Sequence, residues 1–95
     1  MNRSLNTHRE AILKLSRQHG AQNVRIFGSA VRGDDTTSSD LDVLVEMEEG
    51  RSLVDRVALK QDLEDLLGQE VDVVTEASLH PRVRERVLRE AVPLQ

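Results

Sequence analysis

The sequence contains no cysteine and, apart from Phe27, no aromatic residue. Without thiols there can be neither disulfides nor thiolate metal sites. A small secreted domain usually needs disulfides, so a reducing, cytoplasmic setting is expected. One aromatic ring is too few for the stacking platforms that hold single-stranded nucleic acid, and it leaves a bound nucleotide no obvious shelf for its base. Excess positive charge is missing as well, because 13 Lys and Arg face 17 Asp and Glu, a formal net charge of −4. Gripping DNA through its phosphates requires a basic surface, so direct DNA binding is not expected. No apolar run approaches the ~20 residues of a membrane span, and residues 1–5 lack the apolar stretch of a signal peptide.

What is present is enough for a thin core: 95 residues, 38% of them apolar and 32% charged. One domain over residues 1–95 is expected, only marginally stable alone. A helix is predicted from Thr7 to Gln18, with Leu5, His8, Ile12 and Leu15 along one side and Gly20 as its stop. Asn23 to Phe27 alternates as a short strand. A polar stretch, Ala30 to Ser39, follows, with room for a helical turn at Ala30-Val31-Arg32. Asp40 to Glu46 reads as a second strand with Leu41, Val43 and Val45 on one face. A second long helix is predicted from Ser52 to Leu67 on the stripe Leu59, Leu63, Leu66 and Leu67, stopped by Gly68. Glu70 to Thr75 reads as a third strand. A last helix starts near Pro81, carries Val83, Val87 and Ala91 on one face, and ends at Pro93. The fold class is therefore α/β in the α+β sense: a small mixed sheet of about three strands covered by helices.

The chemistry concentrates between Gly28 and Asp42. Asp40 and Asp42 lie two apart on a predicted strand and so project from one face. Paired carboxylates are hard oxygen ligands of the kind that hold Mg²⁺ together with substrate phosphates. Gly28-Ser29 directly follows a strand, where a residue without Cβ and exposed N–H groups can approach a phosphate. Asp72 is a third acid, set in the otherwise apolar run Val71 to Val74, where a charge needs a partner or a metal. If the third strand pairs beside the second, Asp72 joins Asp40 and Asp42. Taken singly, each feature has a plainer explanation. Gly-Ser is usually a turn, Asp-Leu-Asp the wet side of a strand, Asp72 an edge charge that discourages aggregation, Arg32 a surface cation and Ser39 a turn residue. Order, spacing and strand context together are far more specific than any of them.

Gly28-Ser29, ten residues, then Asp40-x-Asp42 resembles the signature of the DNA polymerase beta-like nucleotidyltransferase superfamily. Arg32-Gly33 and Ser39 resemble residues that commonly accompany it, and Asp72 matches the family's third carboxylate. The C-terminal segment Arg84 to Val92 is similar to the terminal helix of the minimal, single-domain subgroup. That subgroup resembles the antitoxins of two-gene modules whose toxin is a helical HEPN ribonuclease, and some members adenylylate a tyrosine of that toxin. Ala30-Val31 stand where many members carry a bulkier or basic pair. The resemblance implies transfer of a nucleoside monophosphate, AMP from ATP, to a protein acceptor. It implies Asp40, Asp42 and Asp72 as catalytic residues and as ligands of two Mg²⁺ ions, with Mn²⁺ able to substitute. Gly28, Ser29, Arg32 and Ser39 would bind the nucleotide. It also implies a hetero-oligomer with an HEPN-type toxin, and leaves open a non-catalytic antitoxin that neutralises its toxin by contact. Arg82, Arg86 and Arg89, at i, i+4 and i+7 with Arg84 off their line, form a basic stripe. It is either a solvated helix face or a surface that steers an acidic partner.

Overall fold

A computed structural model describes residues 3–28, Val31 and residues 40–94. The chain runs α1 (Arg3–Gln18), β1 (Ala21–Phe27), β2 (Leu41–Met47), α2 (Leu53–Leu67) and β3 (Val71–Val74). A 3₁₀ turn (Glu76–Ser78), α3 (Pro81–Glu90) and β4 (Val92–Pro93) complete it. The sheet order is β3-β2-β1-β4, with β2 and β3 parallel and the other pairs antiparallel.

Alternation along the strands sorts the residues between two faces. Ile26, Leu41, Val43, Val45, Val71 and Val73 face one side and form the main core with Leu5 and Ile12 of α1 and Leu59 and Leu63 of α2. Ser16 is fully buried among them because its hydroxyl donates to the Ile12 carbonyl at 2.7 Å, leaving no unpaired polar group. The turn after α1 is joined to α2 by a part-buried 2.6 Å hydrogen bond between His19 Nε2 and Asp62.

α2 begins where its first turn is capped. The Ser52 hydroxyl accepts from the Val54 N–H at 3.2 Å, and the Asp55 carboxylate accepts from the Ser52 N–H at 2.9 Å. It ends at Gly68, whose φ of 68° is the left-handed conformation that closes a helix. Leu53 and Val54 on its first turn, and Val57 one turn on, stay exposed.

Three expectations change. α1 starts four residues earlier than Thr7, and β1 starts at Ala21, two before Asn23. The added strand residues accommodate an irregularity between Gln22 and Arg25, where Asn23 takes a φ of 51°. The sheet has four strands rather than about three, because Pro93 does not end a helix. The last helix stops at Glu90, and Val92 and Pro93 pair with Ile26 and Arg25. Proline is tolerated there because β4 is an edge. Leu94 follows it into the core, 1% exposed, and its N–H donates to the Val24 carbonyl at 3.0 Å. Val83 and Val87 share a face of α3, Val87 buried and Val83 exposed. The expected helical turn at Ala30-Val31-Arg32 falls largely outside the described residues. Within them, the Val31 N–H donates to the Gly28 carbonyl at 3.1 Å.

Candidate active site

The second face of the sheet carries the acids. In the β1–β2 register Phe27 stands opposite Asp42, and in the β2–β3 register Asp42 stands opposite Asp72. Residues paired across neighbouring strands share a face. Phe27, Asp42 and Asp72 therefore form one row across three strands, at the end of β1 and the starts of β2 and β3. Asp42 is half-buried and Asp72 exposed. The parallel pairing on which their meeting depends is present, and it extends to the entrance of β2, where the Leu41 N–H donates to the Glu70 carbonyl at 2.9 Å. Asp40 is exposed and lies one residue before β2 rather than within it.

Gly28 closes the row. Its φ of 81° is a conformation L side chains rarely adopt. A Cβ built there would collide with Oδ2 of Asp42. The glycine thus makes the sharp exit from β1 and also clears the space that the Asp42 carboxylate occupies. Ser29, Arg32 and Ser39, expected to bind the nucleotide, lie outside the described residues.

Two residues near the row had not been singled out from sequence. Glu64 of α2 accepts from the Val71 N–H at 3.0 Å, next to Asp72, and from Lys60 Nζ at 2.8 Å. Both bonds hold its carboxyl below the usual range, the one from Lys60 first. Lys60 is held above the ordinary lysine value by its bond to Glu64, against desolvation, with the charges of Glu64, Asp72 and Glu70 adding to the effect. A cation therefore stands in the field of Asp72. The i, i+4 spacing of Lys60 and Glu64 was the available signal, and it reads equally well as an ordinary surface pair.

The donor set fits a hard divalent cation, since Asp42 and Asp72 are neighbouring carboxylates and Gly28 leaves Oδ2 of Asp42 uncovered by a Cβ. Among the described residues no group of three His, Cys, Asp or Glu side chains is close enough to hold a metal ion unaided. The row brings Asp42 and Asp72 together without gathering Asp40 into a closed cage with them. Sites completed by substrate phosphates need no more than one or two protein carboxylates.

Carboxylates in register beside a glycine turn suit an enzyme that acts on phosphate esters. The chain belongs to the nucleotidyltransferase domain family, whose model matches residues 5–94, and it is a nucleotidyltransferase. A Methanocaldococcus jannaschii protein named as a protein adenylyltransferase is 45% identical over 89 residues, which are 94% of this chain and 96% of the relative. A structure described as a minimal nucleotidyltransferase matches with a TM-score of 0.86 at 56% identity, over 95% of this chain and 92% of the other. A toxin–antitoxin crystal structure with AMP-PNP matches with a TM-score of 0.78 at 27% identity, over 92% of this chain and 72% of the other. Among the described residues no helix is long and apolar enough to cross a membrane.

Proposed function

We propose that this nucleotidyltransferase moves AMP from ATP to a hydroxyl of a protein partner, an HEPN-type toxin, and so serves as the antitoxin of the pair. The observation that carries the reading is the in-register placement of Asp42 and Asp72 beside Gly28. The relative named as a protein adenylyltransferase and the toxin–antitoxin neighbour with AMP-PNP support a protein acceptor and an adenine nucleotide.

Asp40, Asp42 and Asp72 would hold Mg²⁺. Bound there with the triphosphate, the metal would supply charge neutralisation and Lewis-acid activation of the attacking oxygen. The backbone at Gly28, with Ser29, Arg32 and Ser39, binds the phosphates. Asp72, at the edge of the row farthest from Gly28, faces the acceptor and takes its proton. The acceptor oxygen forms a bond to the α-phosphorus. The bond from that phosphorus to the α–β bridging oxygen breaks, and pyrophosphate leaves with the electron pair.

The partner would meet α3. Arg82 and Arg89 are exposed, and Arg86 is exposed while paired with Glu90 at 3.2 Å. Arg84 is turned away, donating to the carbonyls of Glu76 and Leu79 at 3.0 and 3.1 Å.

The test is transfer of α-labelled AMP to the co-purified partner, beside calorimetry with ATP and Mg²⁺. Asp42→Asn is expected to weaken MgATP binding. Asp72→Asn is expected to bind MgATP with little loss and to transfer no label. Equal affinity in wild type and Asp42→Asn, or transfer at the wild-type rate in Asp72→Asn, would refute the assignment.

A further inference from the structure

Beside Gly28, between the end of β1 and α3, lies an open hollow of about 260 Å³ that the transfer chemistry does not use. Its walls are apolar: Phe27 from the sheet, Leu79 from the approach to α3, and Val83 and Val87 from the helix. Arg86 and Glu90 stand on its rim. The two valines share one helix face, yet Val87 is 8% exposed and Val83 41%. The half of the face that runs past Phe27 is left uncovered. An apolar strip bordered by a few fixed polar groups is how small-molecule sites are built, and the volume lies just below the range for a whole drug-sized ligand. A planar fragment suits it better than a complete nucleotide.

We infer that this hollow is the base subsite of the nucleoside triphosphate and that it selects adenine. The inference rests on the proposed seating of the phosphates at Gly28 and Asp42. Gly28 belongs both to that turn and to the wall of the hollow, so one ligand can run continuously from one to the other. Phe27 provides a ring against which a base can lie. The rim provides the edge contacts: a guanidinium that donates and a carboxylate that accepts, held side by side by their 3.2 Å hydrogen bond. Adenine offers the matching pair, a ring-nitrogen acceptor beside an amino donor. Guanine offers two acceptors along the corresponding edge, one of which would face the Glu90 carboxylate. The single aromatic residue of the sequence therefore stands where a base can use it.

The experiment is calorimetric titration of the full chain, with Mg²⁺, by ATP, GTP and inorganic tripolyphosphate. Wild type should bind ATP about tenfold more tightly than GTP or tripolyphosphate, the scale of one charge-assisted hydrogen bond. Val83→Gln is neutral and partly exposed, so it is tolerated and leaves the field at the phosphates unchanged. It should lower ATP affinity about tenfold and leave tripolyphosphate binding as it was. Glu90→Gln can present either a donor or an acceptor, and should bring the ATP-to-GTP ratio towards one. Melting curves check that both variants fold. Equal wild-type affinities for ATP and GTP, or Val83→Gln binding ATP as wild type does, would overturn the inference. So would a Val83→Gln that keeps its ATP affinity but loses label transfer, since the hollow would then belong to the acceptor. A wild type that binds neither tripolyphosphate nor ATP would instead remove the phosphate site, and with it the reading on which the base subsite depends.

Discussion

Replacing Gly28 by alanine tests how closely the turn and the carboxylate row are coupled. The added Cβ meets two obstacles. The backbone φ of 81° puts an L residue in the left-handed region, at about 1–2 kcal/mol. Part of this is offset, by about 0.4–1 kcal/mol, because alanine stiffens the unfolded chain. The net loss is about 1 kcal/mol, a fall in Tm of roughly 4–8 °C for a domain of this size. The second obstacle is Oδ2 of Asp42, which occupies the space the Cβ would take and must move. Gly68 provides a matched control. Its φ is 68°, but nothing lies within 4 Å of a Cβ built there. Gly68→Ala should therefore show a comparable fall in Tm with MgATP affinity unchanged. Gly28→Ala should lose about tenfold or more in affinity as well, the order of one displaced charge-assisted ligand. Thermal melts and calorimetry on the two variants separate backbone from carboxylate. If Gly28→Ala matches Gly68→Ala in both measurements, the empty Cβ position is not what seats Asp42.

Three further outcomes are expected. Leu59→Ala should cost about 2–5 kcal/mol, read from urea midpoints, because its side chain is fully buried between α2 and the sheet; a loss below about 1 kcal/mol would contradict that packing. Glu64 has a depressed carboxyl in the folded chain, so its contribution is complete above the ordinary glutamate value and disappears as pH falls through the folded one. Wild type should therefore exceed Glu64→Gln in stability by a constant margin from about pH 6 to 9, and the margin should vanish in acid; a gap that persists undiminished at about pH 2 would show that the charge is not its source. Changing Arg82, Arg86 and Arg89 together to Glu should slow association with the proposed toxin partner and reduce its salt dependence, measured by stopped-flow across a salt series; unchanged rates would return the stripe to solvent.

Local sequence reached some of these features and not others. The two-residue spacing of Asp40 and Asp42 was visible directly, but the alternation inferred from it holds only within a strand, and Asp40 lies one residue before β2. The meeting of Asp42 with Asp72 was not, since it depends on which strands pair and in what register. The condition that β3 lie beside β2 could be stated, and the structure meets it. Capping signals placed both ends of α2 closely because Ser52 and Gly68 act within one turn. β4 escaped notice because two residues have no period, and Pro93 argues against a strand until its edge position is known. The hydrogen bond between His19 and Asp62 links residues 43 apart in the chain, and neither neighbourhood announces it. The space that Gly28 leaves for Asp42 also lay beyond reach. Glycine after a strand announces a turn, and only the fold shows what fills the place of its missing side chain.

The short return of the chain after Glu90 has a mechanical consequence. α3 is fixed at its start by the Arg84 bonds and the His80 cap, and past its end by β4 and the buried Leu94. The helix behaves as a beam supported at both ends, and its middle forms one wall above Phe27. Removing residues 92–95 would turn the beam into a cantilever, leaving most of the sheet paired while one wall of the hollow swings free. Proteases should attack the truncated chain first within α3. A bulky fusion attached directly after Leu94 would strain the same support, so a spacer belongs between Leu94 and anything joined to it.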